Sequence, residues 1–152
     1  TGVQTCALPI YVYNWICEGE REHGWEVDEV DYDGRNATDL AIRMNEDRNR
    51  EDFCVEVSQT CAGQNLAVKT FRELLLQDRV VIEESPLVLW CLQNAIEIQD
   101  NYGNIKLSKR HKDDTERIDL VAAMMNALAR VLVKRTAGSD INEHILSEDW
   151  GI

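Results

Sequence analysis

The period of the apolar positions changes several times along the chain, and the changes predict helices alternating with strands. Residues Tyr11–Glu22 read as the remnant of a helix, with Trp15 and Ile16 on its apolar side and Gly24 ending it. Residues Trp25–Tyr32 (WEVDEVDY) alternate apolar and acidic side chains, the two-residue period of a strand with one buried face. Asp33-Gly34 breaks that strand. Residues Asn36–Glu46 follow as a helix carrying Leu40, Ile42 and Met44, and Phe53–Val57 (FCVEV) is a short strand of β-forming residues. Residues Asn65–Leu76 set Ala67, Phe71, Leu74 and Leu75 against Leu66, Lys69, Thr70 and Glu73, an amphipathic helix. Arg79–Ile82 reads as another short strand. Ser85-Pro86 starts a helix, because serine caps and proline suits the first helical position; Leu87, Trp90, Cys91, Asn94 and Ile98 then recur at helical spacing. Tyr102-Gly103-Asn104 reads as a turn between two short extended pieces, and Ser108–Glu116 as a charged, exposed loop. The clearest helical stripe is Ile118, Val121, Ala122, Met125, Leu128, Ala129 and Leu132, with Lys134 and Arg135 complementing the dipole at its end. The acidic tail from Gly138 to Ile152 is expected to be loosely ordered. Strands alternating with helices argue an α/β layered fold.

A length of 152 residues fits one domain around one core. Sixteen basic residues against 28 acidic ones give a net charge of −12. That is a poor match for a domain gripping DNA alone, since affinity for phosphate backbones comes from Lys and Arg. It suits a site that collects divalent cations or a domain beside a basic partner, though on charge alone a plain solubilising surface is the simpler reading. The five cysteines form no CxxC pair and show no zinc-type spacing. Cys54 and Cys91 sit in apolar runs and read as small core residues, so a reduced, cytoplasmic setting is the default. No apolar run approaches the roughly 20 residues that span a bilayer, and the N-terminus lacks a signal peptide's basic flank.

Residues Thr1–Ile10 (TGVQTCALPI) resemble the in-frame translation of a common sequencing adapter, which the codon table reproduces at all ten positions. Such a scar is left out of fold reasoning. The expected organisation is therefore an adapter-derived segment over 1–10, a partial domain over 11–135 and a tail over 136–152.

Two acidic positions stand out chemically. Asp33 lies just past a predicted strand, where open α/β sheets place ligand-binding groups. Asp119 lies in the first turn of the longest helix, next to Ile118 on its buried stripe, so its carboxylate is expected near the sheet. Brought together by the fold, the two make a hard oxygen site for Mg²⁺ or Mn²⁺. Read separately, Asp119 is a first-turn carboxylate favoured by the helix dipole and Asp33 half of an Asp-Gly turn. Asp31 shares the face of Asp33 and is either an outer ligand or a solvated carboxylate. Asn94, on the apolar stripe of its helix, either orders the site or makes a purely structural hydrogen bond. Lys106, Lys109, Arg110, His111 and Lys112 form the one dense basic stretch, a candidate for phosphate contact or simply a solvated loop.

Several segments resemble, in order, the C-terminal nuclease domain of phage terminase large subunits. Tyr32–Ala37 (YDGRNA) is similar to that family's strand-end YD-x-x-NA segment. Phe71–Leu76 followed by Val80–Ile82 resembles its next helix and strand. Leu87–Ile96 (LVLWCLQNAI) resembles its W-x-x-x-Na helix, Asp100–Lys109 its d-x-x-Gn…K stretch, and Arg117–Leu128 (RIDLVAAMMNAL) its closing kIDgvvAlimAl helix. The resemblance runs from about Tyr11 to Val133.

The resemblance implies an RNase H-like fold, a mixed sheet flanked by helices, N-terminally truncated here. It implies a metal-dependent DNA endonuclease that hydrolyses phosphodiesters with two Mg²⁺ or Mn²⁺ ions held by an acidic cluster. Asp33 matches the family's second metal-binding aspartate and Asp119 its last. The family's first aspartate lies on a strand preceding Tyr11, and no phosphate-binding GxxxxGK[ST] loop is present, so the fragment is expected to be inactive. Leu120 replaces a usual glycine and is expected to tighten packing beside Asp119. The implied partners are double-stranded DNA, the portal and the small terminase subunit, in the host cytoplasm and away from membrane. The alternative is a non-catalytic RNase H-like interaction module that docks to the packaging motor or portal.

Overall fold

In the computed structural model, residues 4–35, 37–82, 84–111 and 116–137 are described. The chain divides into two compact units, 1–57 and 58–152.

The first unit is a helix followed by a β-α-β unit: α1 (Gln4–His23), β1 (Val30–Tyr32), α2 (Thr38–Arg48) and β2 (Cys54–Glu56). β1 and β2 pair in parallel, Val30 opposite Cys54 and Tyr32 opposite Glu56. Parallel neighbours need a crossover, and α2 supplies it. Its end is set by Asn49 in the left-handed region (φ 50°), whose N–H bonds the carbonyls of Asn45 and Glu46. The Asn45 side chain then fastens the connection to β2, donating to the Glu51 carbonyl at 2.9 Å and accepting the Cys54 N–H at 2.7 Å. Ile16, Ala41, Met44, Phe53 and Cys54 form the buried core, with Tyr13, Val27, Val30, Tyr32 and Leu40 packed around it. Arg48 stacks 4.5 Å over the Phe53 ring while holding Glu20, its Nη1 2.7 Å from Oε1.

The second unit contains α3 (Cys61–Leu76), α4 (Pro86–Asn94), β3 (Ala95–Gln99), β4 (Ile105–Lys109) and α5 (Asp119–Ala137). Thr60 caps α3, accepting the Gly63 N–H at 3.1 Å. β3 and β4 form an antiparallel hairpin, Ala95 opposite Lys109 and Gln99 opposite Ile105. Asp100 holds its turn, accepting the N–H groups of Tyr102 and Asn104, each at 2.9 Å. The Asn104 amide, bonded to the other carboxylate oxygen, holds the Asp100 carboxyl below the ordinary aspartate range. Val68, Ile105 and Met125 make the core, flanked by Phe71, Leu107, Met124 and Leu128. A polar hub sits within it: buried Asn126 accepts at Oδ1 from Gln64 (3.0 Å) and from Gln59 (3.1 Å).

The helices at 11–22, 36–46, 65–76 and 118–135 and the strand at 53–57 are present with shifted ends. α1 runs without a break through the junction between residues 10 and 11, so the backbone does not mark that boundary. Of the strand expected over Trp25–Tyr32, Val30–Tyr32 alone pairs. No described strand pairs with 79–82. The end of α3 turns on Asp78 (φ 53°), Arg79 bonds back to the Leu74 carbonyl, and Val81 is 99% exposed. The helix expected to reach Ile98 ends at Asn94, and Ala95–Gln99 is strand. The expected loop is strand at Ser108 and Lys109, and Lys112 falls outside the described residues. Both strand directions of the expected mixed architecture are present, one parallel and one antiparallel pair, divided among the described residues between two two-stranded sheets. Cys54 and Cys91 are buried as expected, and no described helix is long and apolar enough to cross a membrane.

Candidate active site

Asp33 follows the carboxyl end of β1 directly and is exposed. Its Oδ1 accepts the Arg35 N–H at 3.2 Å, the side-chain turn expected of Asp-Gly. Thr38 Oγ1 donates to the Gly34 carbonyl at 3.0 Å, tying this turn to the start of α2. The carboxylate is thus oriented by local backbone on an exposed residue.

Sequence reasoning missed a second carboxylate at this strand end. Glu56 is the last residue of β2, opposite Tyr32 in the parallel register. A Cβ placed on Gly34 would stand 2.3 Å from Glu56 Oε1, so the Glu56 carboxylate lies against the glycine next to Asp33. The signal that could have found it is an acidic residue ending the second strand of a β-α-β unit. Asp31 lies in mid-strand and half-buried.

In the second unit Asp119 is the first residue of α5. The expectation that its carboxylate faces away from solvent is corrected, for Asp119 is exposed while Ile118 is half-buried. A residue at the first helical position stands at the rim of the stripe that follows it. Leu120 does not tighten packing there, because it is 37% exposed. Asn94 has a defined role: its Nδ2 donates to the Arg117 carbonyl at 3.3 Å, and its own carbonyl accepts the Arg110 N–H at 2.9 Å. It therefore ties the end of α4 to both sides of the segment leading into α5.

The basic stretch is partly spent on structure. Lys106 Nζ donates to the Gln59 carbonyl at 3.0 Å. His111 is clasped by Glu116, which accepts its N–H at 2.7 Å and meets Nδ1 at 2.8 Å. Lys109 is half-buried, and Arg110 is exposed.

Carboxylate oxygens are the hard donors Mg²⁺ and Mn²⁺ take, so the chemistry of Asp33, Asp119 and Glu56 fits those ions. Among the described residues, however, no group of three or more His, Cys, Asp or Glu side chains is arranged to hold a metal. Asp33 and Glu56 belong to the first unit and Asp119 to the second.

The family model for the terminase large subunit, endonuclease domain, matches residues 9–135. No curated protein matches the chain. Among solved structures, the large terminase of bacteriophage HK97 is similar with a TM-score of 0.65 and 24% identity. The similarity covers 80% of this chain and 24% of that one, so the chain spans about a quarter of the protein it matches. At that identity the likeness speaks to fold, a mixed α/β RNase H-like arrangement. The match over 9–135 takes in both aspartates and most of the chain, which belongs to the terminase large subunit endonuclease-domain family.

Proposed function

We propose that this chain is part of a metal-dependent endonuclease that hydrolyses double-stranded DNA in a viral packaging motor. Asp33 and Asp119 supply carboxylates to two divalent ions, Mg²⁺ or Mn²⁺. The observation that carries the reading is an exposed, backbone-oriented aspartate at the carboxyl end of a parallel strand, inside a sequence of this family. Strand ends of this kind are where α/β proteins place ligands. Bound ions would supply an activated water and charge stabilisation for the leaving oxygen.

The chain's own residues do the positioning. The Arg35 N–H fixes one oxygen of Asp33, leaving the other to bind. Asn94 steadies the segment before Asp119 through the Arg117 carbonyl. Glu56, against Gly34, is available as a third oxygen donor beside Asp33. Two aspartates are too few for two ions, each of which takes about six ligands. We therefore propose that the chain by itself does not cut and that the complete site takes further carboxylates from a longer terminase chain. The working partners are double-stranded DNA, the portal and the small terminase subunit, in the cytoplasm of the host.

The test is nicking of supercoiled plasmid in Mn²⁺. The 152-residue chain should show no metal-stimulated nicking, and a full-length terminase large subunit carrying this segment should nick. In that longer chain Asp33→Asn or Asp119→Asn should each slow nicking by about a hundredfold or more, since losing several kcal/mol of charge stabilisation costs a factor of ten per 1.36 kcal/mol. Nicking indifferent to both substitutions would refute the assignment.

A second reading, a non-catalytic interaction module docking to the motor or portal, draws on one feature. The outer face of α1 leaves Tyr11 70% and Trp15 61% exposed beside Val12, an apolar surface of the kind that marks contacts. A full-length chain that never nicks would favour it.

A further inference from the structure

The basic stretch at 106–112 is an incomplete account of how DNA could be held, since Lys106 is committed to the Gln59 carbonyl and His111 to Glu116. A second cationic feature lies elsewhere in the same unit. α3 and the β3–β4 hairpin enclose a cleft of about 390 Å³ lined by Lys69, Arg72, Glu97, Ile98, Gln99, Gly103 and Ile105. Lys69 and Arg72 stand three residues apart on α3 and so share a face.

The charges in the cleft sum simply. Arg72 Nη1 is paired with Glu97 Oε2 at 2.9 Å, which neutralises both. Lys69 is half-buried and makes no hydrogen bond or ion pair with another described residue, and the Gln99 side chain makes none either. The one carboxylate lining the cleft, Glu97, is engaged by Arg72, so Lys69 is the cleft's unpaired cation among the described residues. The cleft therefore offers one net positive charge, three ammonium donors, two carboxamide donors and the guanidinium N–H groups that Glu97 leaves free. Gly103, at φ 83° and without a Cβ, opens the hairpin side to close approach. Ile98 and Ile105 give it an apolar wall, which lowers the local dielectric and strengthens any charge contact made there.

We propose that this cleft seats one phosphodiester of a DNA backbone, with Lys69 as the charge contact and Gln99 and Arg72 as hydrogen-bond donors. A phosphodiester carries a single negative charge and matches the single unpaired cation, whereas a terminal phosphate carries nearly two. The inference rests on the DNA-cutting reading, to which it adds a contact on the α3 face.

The experiment is titration of the 152-residue chain with a fluorescently labelled duplex across a salt series starting at about 50 mM. Wild type should bind weakly and salt-dependently. Lys69→Met should weaken binding about three- to tenfold and flatten the log–log salt slope by about 0.9, the value for one lost phosphate contact. Lys69→Arg should retain both affinity and slope, Gln99→Ala should weaken binding less than Lys69→Met, and Arg21→Gln, at the exposed Arg21–Glu22 pair of the first unit, should change nothing. Circular dichroism checks that each variant folds. Duplex binding that Lys69→Met leaves unchanged in affinity and slope overturns the cleft while leaving the nuclease reading intact. Absence of any duplex binding by wild type overturns the DNA reading for this chain, and the cleft with it. Inorganic phosphate that shifts the Gly103 amide resonance, while duplex DNA does not, would make the cleft a small-anion pocket and also overturn the proposal.

Discussion

Tyr13 illustrates how single contacts set local chemistry in the first unit. Its phenol donates to Asp47 Oδ2 at 2.7 Å, and the carboxylate acceptor is the main reason the phenol is pushed up from 10.0 to about 12. A raised phenol favours the protonated form in the folded state, so its stabilisation is full below pH 10. It is lost as pH climbs through the interval from 10 to about 12. The difference in tyrosinate absorbance between wild type and Tyr13→Phe should titrate near 12, and Asp47→Asn should bring it back toward 10. A Tyr13 titration near 10 in wild type would show that this bond is absent in solution. Such a contact, spanning 34 positions, could not be read from the sequence. The Asp33 turn could be, because Asp-Gly after an alternating run is a local signal. Glu56 could not, since its place beside Gly34 exists only once β2 has paired with β1. The Lys106 bond to the Gln59 carbonyl was hidden for the same reason, because that acceptor is remote in the chain.

Between elements, the docking of α3 on α5 depends on a polar hub inside an apolar core. Asn126 Oδ1 receives two side-chain amides, and both Asn126 and Gln64 are buried. Asn126→Leu should cost about 1–3 kcal/mol, because the Gln64 amide loses an acceptor it cannot replace with water. Urea denaturation reads the loss, and Gln64→Leu added to Asn126→Leu should recover part of it by removing the stranded donors. A double variant less stable than Asn126→Leu alone would show that the hub contributes in some other way. The long helices were legible because a 3.6-residue stripe is local and repeated many times. The short strands were not, for strand identity depends on a partner. Ile96 and Ile98 extend the apolar run of α4 and read as helix, yet the chain turns extended at Ala95 (ψ 134°) so that β3 can pair with β4. Residues 79–82 have strand composition and find no partner strand among the described residues.

At the scale of the whole molecule, an acidic chain of net charge −12 belongs to the terminase large subunit endonuclease-domain family, for which DNA cutting is proposed above. The proposed account reconciles the two by placing carboxylates where divalent cations neutralise them and by confining DNA contact to local cationic features. The family was legible from ordered motifs, each weak alone, because order along the chain multiplies their specificity. The proposed binding of metal by both Asp33 and Asp119 is the central claim, and paramagnetic broadening by Mn²⁺ tests it most directly. The 152-residue chain, labelled with ¹⁵N, is titrated with sub-stoichiometric Mn²⁺. The account expects the amides of Gly34 and Arg35 and those of Leu120 and Val121 to broaden together over one concentration range. Asp33→Asn should then relieve the broadening at Leu120 as well as at Gly34. Broadening of one group without the other, or broadening at Leu120 that Asp33→Asn leaves untouched, would contradict a shared metal site.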